Sequence, residues 1–175
     1  MKKILTVLLL CVMLFGMVSC KDEGVPDGMK LASNTDIVLY SLFVPEDWII
    51  DEQSAMTMAH VSDSNKSSVS VMQWNMSQDS TTVDEWWTNY HKKELSASFP
   101  SFTVLEEGTE TIVDSRPAKS YTYTITFSET VYKYYVIGVL DQGSVHVITY
   151  TSTEELYEEA LTVVKDEIVA NFRFN

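Results

Sequence analysis

The sequence predicts an α+β domain in which two amphipathic helices pack on one large, mostly antiparallel sheet. Three observations carry this. Short strand-like runs recur between residues 36 and 151, separated mainly by turn chemistry. Tyr121 to Phe127 alternates cleanly, with Tyr121, Tyr123, Ile125 and Phe127 on one face and Thr122, Thr124 and Thr126 on the other. Two segments depart from this period of two and show helical spacing, each opening on Ser or Thr with Glu three residues later.

In chain order, Asp36 to Val44 reads as a strand closed by Pro45-Glu46-Asp47. Ala55 to Val61 and Ser68 to Met76 form a hairpin around Ser62–Lys66. The first helix opens at Thr82 and Glu85, spaced as a capping box, and runs to about Ala97. Val83, Trp87, Tyr90 and Ala97 share its face, with Trp86 at the margin. Phe102 to Glu106 and Glu110 to Val113 are strands flanking Gly108. Val131 to Leu140 and Val145 to Thr151 pair across Asp141-Gln142-Gly143. The Val131 run carries Tyr132, Tyr134 and Val136 on one face and Tyr135, Ile137 and Val139 on the other. Both faces are apolar, as in a central strand covered on both sides. The second helix opens at Ser152 and Glu155; Leu156, Ala160, Leu161, Val164 and Ile168 form its apolar stripe. Glu155, Glu158, Glu159 and Asp166 lie opposite, towards solvent.

The N-terminus has a separate logic. Lys2 and Lys3 precede fifteen residues, Ile4 to Val18, that are apolar apart from Thr6 and Gly16. That run falls short of the roughly 20 residues a membrane-spanning helix needs. It ends in Met17-Val18-Ser19-Cys20, which resembles the lipobox of bacterial lipoproteins, with Met17 where Leu is usual. The resemblance implies a signal peptide over 1–19, diacylglyceryl attachment at Cys20, and an extracytoplasmic, lipid-anchored location at the cell membrane. Lys21 to Gly28 is polar, with Pro26 and two glycines, so 20–28 reads as a tether and 29–175 as a single domain. Eight tether residues span at most about 25–29 Å.

Removing residues 1–19 takes Lys2 and Lys3 away and moves the formal charge from −13 to −15. A surface this acidic repels phosphate backbones and anionic headgroups, so nucleic acid is not an expected partner. Cys11 leaves with the apolar run and Cys20 takes the lipid. No cysteine is then left for disulfides, thiol catalysis or thiolate metal sites.

The segments Phe43-Val44-Pro45-Glu46-Asp47-Trp48, Arg116-Pro117-Ala118, Val147-Ile148-Thr149-Tyr150 into Glu154-Glu155-Leu156-Tyr157, and the terminal Asn171-Phe172 occur in a characteristic order. In that order and spacing, from about Met29 onward, the chain resembles the PsbP-like group, which includes bacterial lipoproteins of the DcrB type. Arg116 stands where a glycine often precedes the Pro-Ala pair. The resemblance implies a three-layer α/β/α sandwich around a mostly antiparallel sheet. It implies no catalytic residue set, because relatives serve as scaffolding or binding proteins in unrelated settings.

No Gly-x-Ser-x-Gly elbow occurs. His60, His91 and His146 fall in a strand, a helix and a strand without ligand spacing. Asp63-Ser64-Asn65 begins like a calcium loop, but Ser68 and Trp74 stand where it needs glycine and an acidic ligand. The expectation is therefore a protein that is not an enzyme, with no catalytic residues, no metal and no cofactor. Trp74, Trp86 and Trp87 are candidates for a binding surface, since large amphipathic rings dominate interfaces. Core packing is the competing reading for the same rings. A membrane-anchored accessory or binding role towards another envelope component leads. The alternatives are a binding module for a small or cationic ligand and, last, a hydrolase using paired carboxylates.

Overall fold

The computed structural model describes residues 24–51, 56–76 and 82–175. The expected signal segment, Cys20 and the first tether residues lie outside the described residues. Seven antiparallel strands form the main sheet: β4 (Ile49–Ile50), β5 (Thr57–His60), β6 (Ser68–Asn75), β7 (Thr103–Val113), β8 (Arg116–Phe127), β9 (Thr130–Asp141) and β10 (Ser144–Thr153). Their order across the sheet is β4-β5-β6-β10-β9-β8-β7. Two small sheets flank it. One pairs β1 (Met29–Leu31) with β3 (Phe43–Pro45), the other pairs β2 (Tyr40–Ser41) with β11 (Arg173–Phe174).

The long strands β7 to β10 are linked by two-residue turns at Asp114–Ser115, Ser128–Glu129 and Gln142–Gly143. All six turn residues have positive φ, between 47° and 79°. Left-handed turns match the twist of the strands they join, which is why these hairpins stay tight even where glycine is missing. Asp114 and Ser115 thus make the turn that precedes Arg116-Pro117, with no glycine needed.

Two helices cover the sheet. Helix α1 runs through Val83–Trp86, Trp87–His91 and Lys92–Ser98; helix α2 runs through Tyr157–Val163 and Val164–Val169. The Trp87–His91 and Val164–Val169 portions are π-helical. Thr82 accepts a hydrogen bond from the Glu85 N–H while the Glu85 carboxylate accepts one from the Thr82 N–H, so the expected capping box is formed.

The apolar interior divides by strand parity. Val136, Tyr121, Tyr123, Val145 and Val147 pack with Val83, Trp86 and Trp87 of α1. Tyr135, Ile137, Val139, Ile148 and Tyr150 pack with Tyr157, Ala160, Val164 and Ile168 of α2. The two faces of β9 are thus both buried, as its double apolar pattern anticipates.

Four expectations are corrected. Asp36 to Val44 is not one strand: the Asn34 carbonyl accepts from the Ile37 and Val38 N–H groups and its side chain from Asp36, which holds a turn until Tyr40. The two runs around Gly108 fuse into the single strand β7, whose register shifts between Val104 and Thr109 absorb the glycine. Ser152 does not cap α2; it is a buried strand residue whose hydroxyl meets Ser67 Oγ at 2.7 Å, and the helix opens at Tyr157. In α1 the π turn adds a residue, so the buried face departs from a 3.6-residue phase. Trp86 and Trp87 are both buried, Leu95 packs inward, and Ala97 is exposed.

Candidate functional site

Helix α1 sits unusually close to the sheet. A Cβ at Gly138 of β9 would meet Val83 Cγ1 at 2.7 Å and the Trp86 ring at 3.1 Å. That close approach seals Trp86 at 0% and Trp87 at 1% exposure. Trp87 stacks on Tyr121 with ring centres 4.1 Å apart, and His91 stacks on Trp86 at 4.8 Å. Tyr123 extends the stack to Tyr134 at 4.8 Å. Trp86 and Trp87 therefore belong to the core and cannot frame an open groove, which corrects their expectation as a binding surface. Trp74 on β6 keeps partial exposure. The indole N–H groups of Trp74 and Trp86 are buried without a hydrogen-bond partner.

The polar groups around this cluster are tied into pairs. Trp87 Nε1 donates to Glu107 Oε1 at 2.6 Å, and Lys92 Nζ donates to both Glu107 oxygens at 2.8 and 2.9 Å. Lys92 foremost, with Trp87 adding to it, holds the Glu107 carboxyl below the usual carboxylate range. An acid catalyst requires a shift in the other direction. Burial holds His91 neutral down to about pH 4. Its Nε2 lies 3.4 Å from the Tyr123 hydroxyl, so the ring serves packing.

Beside α1 lies a groove of about 1090 Å³. Val83, Ala118, Pro117 and Leu140 supply apolar wall, and Ile112 stands 70% exposed over it. Asp84 and Lys119 pair across its rim at 2.6 Å, with Glu110 also lining it. Strand β7 is an edge strand, so the groove opens along the border of the sheet. Its residues come from 82–84, 110–119 and 140, which explains why no sequence motif marks it. The only local signal is Ile112, an apolar residue next to buried Val113 on a strand otherwise rich in Glu and Thr.

At the same end of the sheet, Arg116 Nε donates to Asp141 at 2.9 Å and Nη1 to Asp114 at 2.6 Å. The guanidinium lies 4.2 Å from the Phe174 ring centre, and Asp114 also accepts the Phe174 N–H. Arg116 is thus a clamp on the C-terminal strand. His146 is buried against Tyr40 and Phe174. Burial lowers its pKa; Arg116 acts in the same sense and Asp141 opposes. His60 lies on β5, away from the other two histidines in sequence and strand. Among the described residues, no group of three or more His, Cys, Asp or Glu could hold a metal ion. Among them, too, no helix is long and apolar enough to cross a membrane.

No family model and no curated protein matches the chain. Solved structures do. The cyanobacterial PsbP protein (CyanoP) from Synechocystis sp. PCC 6803 is 16% identical with a TM-score of 0.62, over 91% of this chain and 99% of that one. PA94 from Pseudomonas aeruginosa, a protein of unknown function described as a putative regulator, is 14% identical with a TM-score of 0.56. That match covers 79% of this chain and 92% of the other. At such identities the likeness concerns the fold alone. The α+β, mostly antiparallel fold is PsbP-like.

Proposed function

We propose that this protein is a lipid-anchored, extracytoplasmic accessory protein that binds another envelope component and performs no chemistry of its own. Its arrangement in three layers, α/β/α, belongs to the same proposal: α1 and α2 back opposite faces of a sheet whose free border is left for recognition. The observation that carries it is the groove along β7, with an exposed Ile112 above apolar residues and an ion pair at the rim. An exposed apolar side chain over an apolar wall, with charge confined to the rim, matches the apolar centre and polar rim of a protein interface. The anchor rests on Lys2, Lys3, the apolar run and Cys20.

Crosslinking of intact cells followed by capture tests this reading. The wild-type chain should recover one or more defined envelope proteins, and Ile112→Glu should reduce that recovery about tenfold, the effect of losing roughly 1.4 kcal/mol at one contact. Recovery unchanged by Ile112→Glu would remove the groove from the interface. The second reading, a small or cationic ligand, draws on Asp84 and Glu110 at the same rim. No captured protein, together with thermal stabilisation by members of a metabolite and cation panel, would favour it.

A further inference from the structure

The chain leaves the anchor at a defined place on the fold. Only Lys21, Asp22 and Glu23 separate Cys20 from Gly24. Four residue steps reach at most about 14 Å. Gly24 is fastened: its carbonyl accepts from Arg173 Nη1 at 3.1 Å, and Val25 packs against the α2-side core. The expected tether is thereby shortened to its first few residues, since 24–28 lie against the domain.

An apolar surface begins where this short link ends. Leu31 lines the hollow that contains Gly24 and Arg173, and it also lines a neighbouring hollow with Ile37 and Met56. Ile37 is 78% exposed, Leu39 60% and Leu31 38%. The turn that presents them is well built. The Asn34 carbonyl accepts from Ile37 and Val38, the Ser33 hydroxyl donates to the Tyr40 carbonyl, and the Leu39 carbonyl accepts from Asn175. An ordered turn that holds Ile and Leu outward in water is costly unless something covers them.

Resting on the lipid-anchor reading, we infer that the Asn34–Leu39 turn is a membrane-seating element, inserting Ile37 and Leu39 into the interfacial layer of the bilayer that holds the Cys20 lipid. The link is too short to let this surface move far from the acyl chains, so the bilayer is the apolar phase within reach. Asp36 is the one charged residue of the turn, and the adjoining Leu31 hollow is lined by charges of both signs (Asp27, Glu46, Lys30 and Arg173), so the contact is apolar rather than a charge attraction to anionic lipid. The same seating turns the opposite end of the sheet outward. Strand β8 runs its 12 residues from Arg116, near the Asp114–Phe174 contact, to Phe127, which is 62% exposed. Eleven residue steps place Phe127 roughly 35 Å from Arg116 along the strand.

The test uses the full, lipidated chain in phosphatidylcholine vesicles. With Cys20 lipidated and Cys11 removed with the signal segment, Ile37→Cys supplies the single free thiol for an environment-sensitive nitrobenzoxadiazole label; Phe127→Cys is the matched control. Position 37 should emit to the blue of position 127 and be quenched several-fold more by lipid spin-labelled near the headgroup. Equal quenching at both positions, in protein that floats with the vesicles, would overturn the seating and leave the anchor standing. Blue-shifted emission at position 37 without lipid quenching would mean that protein covers the turn, and would also overturn it. Protein that does not float and carries no lipid would overturn the anchor and the seating together.

Discussion

The two faces of the sheet are buried by different means. The α1 face is closed by one continuous helix, and its contact is aromatic: Trp86 stacks on His91, Trp87 stacks on Tyr121, and His91 meets Tyr123 at a tilt. A glycine at 138 sets the helix-to-sheet distance. The α2 face is a mosaic. Its cluster draws on Met29, Tyr40, Leu42, Phe43, Val44 and Trp48 from early in the chain, Val69 and Val71 from β6, and Phe172 from the end. A face closed by one rigid, close-fitting element has little room to change. A face assembled from remote pieces leaves turns and borders exposed, and there the 34–39 turn and the Gly24 exit are found.

Removing the largest ring of the closed face should break it first. Trp86→Ala empties a fully buried site under α1 and should lower unfolding stability by about 3–5 kcal/mol in urea titration. A loss under about 1 kcal/mol would mean that α1 is a loosely held cover and the contrast between the faces is false.

Acid should weaken the same face next. His91 has a folded pKa of about 4, below the usual histidine value of 6.5. The unfolded chain therefore takes up the proton first, and the stability from burying neutral imidazole is complete above about pH 6.5 and falls as pH drops towards 4. Integrated over that interval the loss is at most about 3 kcal/mol. Burial lowers the pKa of His146 on the other face as well, so its loss has the same sign. His91→Phe should flatten most of the stability slope between pH 6.5 and 4; an unchanged slope would contradict His91 as its source.

The smallest expected effect lies on the border. Ile112→Glu touches an exposed residue and should change stability by no more than about 0.5 kcal/mol, while reducing partner capture. A large stability loss would make the capture result uninformative about binding and turn Ile112 into a packing residue.

The contrast also explains what could be read in advance. Signals confined to one element were legible: Thr82 and Glu85 cap α1, and the double pattern of Val131 to Leu140 is buried on both faces. Where a distant partner decides, local chemistry misled. Ser152 has the spacing of a helix cap but bonds Ser67 from a strand 85 residues away in number. Trp86 lay at the margin of the ideal stripe, and the π turn together with the space at Gly138 drew it fully inside. Of the three tryptophans considered for binding, only Trp74 keeps partial exposure. The groove was invisible because residues 82–84, 110–119 and 140 become neighbours only after the sheet has formed. Arg116, unexpected in front of the Pro-Ala pair, acquires its role from Asp114, Asp141 and Phe174.

Both the groove's partner and the seating of the 34–39 turn depend on where the chain is held. Intact mass measurement of the purified membrane form, with Cys20→Ala alongside, tests that most directly. The membrane form should begin at Cys20 and carry the added mass of a diacylglyceryl group. The variant should retain residues 1–19 and carry no lipid. A membrane form with an unmodified Cys20, or lipid still present in Cys20→Ala, would contradict the anchor.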